Sequence, residues 1–254
     1  MLRRVALSLA VLAAFGLSAQ AQTLDDIIAK NVQALGGMEK LKAIQSIRST
    51  GKMEFGGGSF TLPLTETKAR PSKIRIEFTL QGMTGMMAYD GKAGWQLMPF
   101  QGKKDAEPMS EDDLKEFQYD SDFDGPLIGY KEKANKVELV GKEQVEGTDA
   151  YKIKVTLKNG DIHYIFLDAD SYLQIEEKAT TTIRGSQHDV KSVLGDYKEV
   201  GGVMFPFSTQ VTVEGDTGGM PGDRKITIEK IEINPKIEDG FFAMPSKPDD
   251  KKPQ

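Results

Sequence analysis

The chain has 254 residues and no cysteine, 28% of its residues are charged, and its formal net charge is −5. It has no basic stripe to replace phosphate counterions, which excludes nucleic acid as a partner. The absence of cysteine also excludes disulfides and a lipid-modified N-terminal cysteine.

The first residues have the pattern of a secretory signal peptide. Arg3 and Arg4 precede an apolar run over residues 5–17, and an Ala-x-Ala cleavage sequence ends at Ala21. We therefore expect residues 1–21 to be removed and the protein to work in the periplasm; an uncleaved N-terminal anchor is the alternative. About 230 residues remain, enough for one large β domain. Their net charge of about −7 disfavours electrostatic docking on anionic lipid.

Two segments have the pattern of helices. Residues 23–35 carry apolar side chains every three to four positions, and Thr23 with Asp26 resembles a capping box. A glycine pair ends this helix, and a short helical turn follows it. The second helix is predicted over residues 110–117, with Ser110 as its N-cap, inside the polar stretch 101–124.

From residue 47 the apolar period changes to two, which is typical of strands. Residues 74–80 alternate strictly, and an Asn159-Gly160 turn between two alternating runs predicts a hairpin. We count about eleven strand candidates at hairpin spacing. The predicted fold is mainly β with helices (α+β class). It is a curled, antiparallel, half-open β-barrel, with the N-terminal and inserted helices as plug or lid.

One region suggests an apolar ligand. Residues 82–87 place three methionines among small residues, and a flexible thioether wall suits a chain of variable shape. Ordinary core packing is the alternative explanation, because methionine also fills gaps. We predict that the following residues line the apolar interior: Ile76, Phe78, Leu80, Met83, Met87, Trp95 and Leu97.

Several short segments, taken in order and spacing, resemble one known family. The segments are Ala34-Leu35-Gly36-Gly37, Ile44-Gln45-Ser46-Ile47, Tyr89-Asp90-Gly91 before Trp95, residues 123–128, residues 137–141, and residues 197–206 with Gly-Gly-Val-Met-Phe-Pro. The chain resembles the outer-membrane lipoprotein-sorting proteins, which are related to the periplasmic lipoprotein carrier LolA. The resemblance covers most of the chain after residue 21.

The resemblance implies an incomplete barrel around helices and a hydrophobic cavity that shields acyl chains. No linker or internal repeat divides the chain, so we expect a single half-barrel domain over residues 22–246. The Pro-, Asp- and Lys-rich composition of residues 247–254 predicts a disordered tail. The dedicated carrier also uses an arginine to hold its lid to backbone carbonyls. Arg48, Arg70 and Arg75 are the candidates for that residue here.

Other patterns do not amount to catalytic or metal sites. Residues 120–125 resemble the start of a calcium loop, but Lys131 stands where the bidentate glutamate should be. The two histidines, His163 and His188, lie in strand segments without ligand spacing. We predict no metal, no cofactor and no enzymatic activity.

The leading hypothesis is a periplasmic carrier or binding protein for lipoprotein acyl chains or another lipid in outer-membrane biogenesis. Envelope membrane proteins would be its donor and acceptor, and the carrier would be a monomer. The alternative is a non-catalytic envelope sensor or interaction module with a packed interior. A hollow interior would distinguish the first hypothesis from the second.

Overall fold

The computed structural model describes residues 22–183, 185–215 and 222–246. The predicted signal peptide, residues 1–21, and the predicted tail, residues 247–254, lie outside the described residues.

Three α-helices form where the sequence predicts them: α1 (Leu24–Ala34) and α3 (Glu111–Asp120) follow the predicted caps, and α2 (Met38–Ala43) is the short helical turn after the glycine pair. Thr23 Oγ1 accepts the Asp26 N–H at 3.2 Å, and Asp26 accepts the Thr23 N–H in return, so the capping box is confirmed. Ser110 caps α3 in the same way. The longest of these helices has 11 residues, and none in the described ranges could cross a bilayer.

The described residues form one antiparallel sheet of thirteen strands rather than the predicted eleven or so. The additional strands include β6, which has only two residues and so no readable period. The strands are β1 (Ser46–Phe55), β2 (Phe60–Ala69), β3 (Lys73–Leu80), β4 (Met83–Tyr89), β5 (Gly94–Leu97), β6 (Glu107–Pro108), β7 (Lys136–Val145), β8 (Thr148–Thr156), β9 (Ile162–Asp168), β10 (Gln174–Ile183), β11 (Ser186–Val200), β12 (Val203–Val213) and β13 (Arg224–Ile233).

The sheet has two arms that meet in its middle. The strand order runs β6-β5-β4-β3-β2-β1-β13-β12-β11-β10-β9-β8-β7, so the first strand pairs with the last. We call β1–β6 the first arm and β7–β13 the second arm. The two end strands of this order do not pair with each other, and the curled sheet is therefore a half-open barrel, as predicted.

All three helices lie on one face of the sheet, called the inner face here. In the second arm, Ile27 of α1 packs on a fully buried cluster that includes Ile153 and Ile165. In the first arm, Phe117 of α3 packs on Ile74. Tracing directly opposed residues from strand to strand places both clusters on the same face, because opposed side chains point to the same side.

The opposite, outer face of the first arm is covered by the C-terminal segment, residues 234–246. Trp95 Nε1 donates a hydrogen bond to the Phe242 carbonyl at 2.9 Å. Arg75 donates to the Phe241 carbonyl at 2.8 Å and lies 4.4 Å from the centre of its ring. Trp95 is consequently 1% exposed, and the first arm has a core on each of its faces.

Candidate functional site

A mostly apolar cavity of about 220 Å³ lies between the helices and the inner face, at the end of the sheet where β1 begins. Its walls come from α1 and α2, from the start of β1, from the loop after α3, and from β11 and β12. The side chains that form most of the apolar wall are Leu35, Leu41, Ile44, Ile47, Phe123, Leu127, Ile128, Leu194, Val203, Met204 and Phe205.

The end of α1 is held against the sheet by a close backbone contact. Gly36 has a φ of +119°, and a Cβ at that position would lie 2.2 Å from the Gly202 carbonyl oxygen. The Met204 N–H donates to the Leu35 carbonyl at 3.0 Å. One glycine from each of the two pairs that mark the family resemblance therefore meets the other in space, and their neighbours Leu35 and Val203 border the cavity.

Arg70, at the end of β2, ties three walls of the cavity together. Its guanidinium donates to the Ile44 carbonyl at 2.7 Å and to the Leu41 carbonyl at 2.9 Å. The same group binds the Asp124 carboxylate through two contacts of 2.5 and 2.6 Å and lies over the Phe123 ring. Arginine suits this position because its planar fork of donors can serve a carboxylate and carbonyls together.

Of the three arginines that the family resemblance left as candidates, Arg70 is the one that donates to backbone carbonyls of the α2 segment bordering the cavity. Arg48 makes one long contact with Glu232, at 3.8 Å. Arg75 binds the C-terminal segment on the outer face. The sequence did not distinguish these three arginines. The carbonyls that Arg70 binds, those of Leu41 and Ile44, are more than 25 residues away in the sequence.

A polar cluster lies under α3, where this helix reaches the second arm. The Tyr119 hydroxyl donates to Glu177 at 2.5 Å, and its ring stacks on His163 with 4.1 Å between centroids. His163 Nδ1 lies 2.8 Å from the same carboxylate oxygen. Gln174, which also borders the cavity, donates to the other oxygen of Glu177 at 3.1 Å. The cluster therefore adjoins the apolar cavity.

Asp120 is the most perturbed acid of this region. Burial raises the pKa of its carboxyl to about 7, and the carboxylates of Glu116 and Glu66 act in the same direction. The Lys68 ammonium opposes this shift. Burial and the nearby Glu177 carboxylate also raise the pKa of Tyr119 well above its usual value. α3 therefore carries titratable groups toward both arms, since Glu177 belongs to the second arm and Lys68 and Glu66 belong to the first.

The aspartates of the calcium-like segment bind cations of the chain itself. Lys133 donates to both oxygens of Asp122, at 2.6 and 2.7 Å, and to the Gly125 carbonyl at 2.7 Å. Asp124 is held by Arg70. These carboxylates stabilise the loop that forms one wall of the cavity, and no group of three metal-ligating side chains occurs among the residues described.

The seven residues predicted to line the interior are divided between the two faces of the first arm. Five are on the inner face, where Ile76 and Met87 pack near α3 and Phe78 lies 5.6 Å from the Phe100 ring. Leu80 and Met83 pair at the β3–β4 turn. None of the seven borders the cavity of about 220 Å³.

Trp95 and Leu97 have a different place from the one predicted. They oppose Ala88 and Met86 across β4 and β5, which puts them on the outer face. A period of two in the sequence shows that side chains alternate between the two faces of a strand. It does not show which of these faces packs against the helices. Contact of the other five residues with a ligand stays a prediction.

The fold and its cavity were compared with known proteins. No protein-family model matches the chain, and no curated protein matches its sequence. Solved structures do match. A LolA superfamily protein from Nitrosomonas europaea is similar, with a TM-score of 0.57 and 9% identity over 85% of this chain and 95% of that one. The chain has a LolA-like fold.

Two further structures share this LolA-like fold. A DUF1329 family protein from Desulfovibrio piger has a TM-score of 0.59 and 13% identity over 86% of this chain and 96% of that one. A domain assigned to the outer-membrane lipoprotein-sorting proteins, from Vibrio parahaemolyticus, has a TM-score of 0.55 and 14% identity over 85% and 97%. At these identities the likeness confirms the fold that the family resemblance implies.

Proposed function

We propose that this protein is a carrier for lipoprotein acyl chains or another lipid in outer-membrane biogenesis. The observation that carries the proposal is the apolar cavity of about 220 Å³ under α1 and α2, whose walls Arg70 joins. The LolA-like fold supports the same role, because structures described as LolA superfamily and lipoprotein-sorting proteins share it. The proposed role is one of binding and release, without catalysis.

The energetics explain why such a cavity would be useful. Burying one methylene is worth about 0.8 kcal/mol, so a long acyl chain resists transfer to water by on the order of 10 kcal/mol. A carrier has to offset most of that resistance and still release the chain. As it stands in this structure, the cavity of about 220 Å³ holds only about seven water-sized groups. A whole acyl chain therefore requires the helices to move away from the sheet.

Arg70 is the element that we propose controls this movement. Its contacts join α2, the loop at Asp124 and the end of β2, and all three separate when the cavity widens. The side chain is 19% exposed, so solvent screens the pair only in part. A ligand that binds only the open form has an apparent affinity proportional to the open fraction. Loss of Arg70 should therefore strengthen binding and weaken release.

The setting of this role is part of the proposal. We place the mature protein, residues 22–246 with the tail, in the periplasm after cleavage behind Ala21. We expect a monomer that exchanges its ligand with envelope membrane proteins. The alternative role, an interaction module with a packed interior, predicts no hollow beneath the helices.

The decisive experiment combines mass spectrometry and an apolar fluorescent dye. Protein purified from its native periplasm should carry a lipid or an acylated peptide. Arg70→Gln should bind the dye about tenfold more tightly than the unchanged protein and melt at a lower temperature, because losing contacts worth roughly 1.5–3 kcal/mol favours the open form.

Arg48→Gln is the matched control, since Arg48 lies 3.8 Å from Glu232 and 6.0 Å from the centre of the Phe241 ring, and neither of these residues borders the cavity. This variant should leave both dye binding and melting unchanged. An extract without lipid, together with equal dye binding by Arg70→Gln and Arg48→Gln, would count against the carrier proposal.

A further inference from the structure

Charged residues are absent from three stretches of the first arm. In a chain that is 28% charged, residues 55–65, 78–89 and 93–102 contain no Lys, Arg, Asp or Glu. The first stretch forms the β1–β2 turn and much of β2, the second the end of β3 and all of β4, and the third β5 and the turn after it. The three stretches therefore lie side by side in the sheet.

The first two stretches end in neighbouring turns at the rim farthest from the cavity. Leu64 opposes Phe78 across β2 and β3, so the β1–β2 turn and the β3–β4 turn are at the same end of the sheet. Phe60 is 43% exposed in the first turn, and Met83 is 36% exposed in the second. We call these two turns, residues 55–60 and 80–83, the neutral rim.

Apolar side chains continue from the neutral rim along the inner face. Phe55 pairs with Phe60, with 6.0 Å between ring centroids, and Leu80 pairs with Met83. Behind them Phe78 and Phe100 close over Gly85, where a Cβ would lie within 2.9 Å of both rings. The rim is thus the exposed end of a continuous apolar surface.

We propose that the neutral rim docks on a lipid bilayer. The outer face of this region carries Thr61, Thr79 and Thr84, and the nearest charged residues, Glu54 opposite Thr61 and Arg224 opposite Phe55, lie on β1 and β13 and mark the boundary of the neutral rim. A groove on a protein partner would require only one apolar face, whereas entry into the membrane interface removes water from both faces. A charge on either face would then be penalised. Phenylalanine, methionine and leucine are side chains that suit the headgroup boundary.

The docking is driven by apolar contact rather than by charge. The mature chain is acidic overall, so anionic lipid should not attract it. Binding should therefore occur on uncharged vesicles and persist at high salt. This proposal goes beyond the carrier function, because it assigns a membrane contact to a part of the sheet that does not border the cavity.

The test measures co-sedimentation of the full mature chain with vesicles. We expect binding to vesicles of phosphatidylcholine alone and to vesicles with added phosphatidylglycerol, at low and at high salt. Phe60→Ser should lower the partition coefficient about tenfold, and Met83→Ser should lower it severalfold, since a half-exposed apolar side chain loses part of its burial energy. Melting curves check that both variants remain folded.

Ile162→Ser is the matched control. Ile162 is 40% exposed at the same end of the sheet, but it belongs to the second arm and lies beside Lys158 and Asp161. Its substitution should leave vesicle binding unchanged.

A reporter measurement places the contact on the molecule. Because the chain has no cysteine, Phe60→Cys and Ile162→Cys each accept one environment-sensitive dye. Vesicles should shift the emission only of the dye at position 60. Phe60→Ser should leave binding of the apolar dye to the cavity unchanged. Failure of the membrane-docking proposal can therefore be distinguished from failure of the carrier proposal.

Three results would overturn the membrane contact. The first is that the protein binds neither kind of vesicle. The second is that Ile162→Ser loses as much vesicle binding as Phe60→Ser does. The third is that the protein forms a dimer in solution without vesicles and that Phe60→Ser makes it monomeric. The last result would show that the rim serves a second copy of the chain.

Discussion

The two arms of the sheet have the same strand geometry and opposite surfaces. The second arm packs Ile153, Ile165 and Leu167 under α1, with no exposure at these residues, and carries charged side chains at its turns. The first arm lacks charges over much of its length and has exposed apolar turns. One continuous sheet can thus hold a closed apolar core in one arm and charge-free, exposed apolar turns in the other.

α3 contacts both arms of the sheet, and the two sets of contacts differ in kind. Its Phe117 and Leu114 pack on apolar residues of the first arm. Its Tyr119 reaches the second arm through a hydrogen bond to Glu177 and a stack on His163. The helix is thus held by burial and by polar contacts, and the Asp120 carboxyl at its C-terminal end, near Lys68 and Glu66 of the first arm, responds to pH.

The largest expected effect tests whether the first arm depends on its outer core. Trp95→Ala should lower the free energy of unfolding by about 3–5 kcal/mol, since it empties a fully buried aromatic site and leaves the Phe242 carbonyl without its donor. Chemical denaturation measures the loss. Removal of residues 241–254 should shift the fluorescence of the single tryptophan to longer wavelength. An unchanged spectrum would contradict the outer-face location.

The next effect tests the buried Asp120 carboxyl at the C-terminal end of α3. The pKa of Asp120 is raised from 3.8 to about 7, so the folded state binds this proton more tightly than the unfolded state does. The protein should therefore lose stability as pH rises from about 4 to 7, by on the order of 3 kcal/mol, and lose no more above that. Asp120→Asn should remove this part of the pH dependence. Glu116→Gln, a milder control, should move the upper limit of the slope to lower pH.

The smallest effect separates the two contacts of α3. Tyr119→Phe keeps the ring on His163 but removes the donor to Glu177, and should cost about 1–2 kcal/mol. Hydrogen exchange should quicken in α3 and leave the β8–β9 core unchanged. Equal acceleration in both places would mean that α3 and the second arm open as one unit.

Local patterns were sufficient for much of the fold. The helix starts at Thr23 and Ser110 were predictable because capping depends on neighbours three residues away. The hairpin at Asn159-Gly160 was predictable for the same reason. The strand count was not, since a two-residue strand such as β6 has no period.

The candidate site required information that no local pattern holds. The role of Arg70 depends on carbonyls of residues 41 and 44 and on Asp124, which the fold brings together from three segments. The face of Trp95 depends on the C-terminal segment, 147 residues further along the chain. The family landmarks did carry a signal for the cavity, since Gly36 contacts Gly202 and the adjacent Leu35 and Val203 border the cavity.

The pairing of β1 with β13 has a consequence for how the molecule assembles. Within each arm the strands follow one another as hairpins, so their pairing needs only nearby parts of the chain. The seam between the arms joins residue 47 to residue 233 and must wait for almost the whole polypeptide. If the chain emerges from a translocation pore with its N-terminus first, the two arms stay unjoined until the last strand, β13, has emerged. Closure of that seam is then the event that completes the cavity.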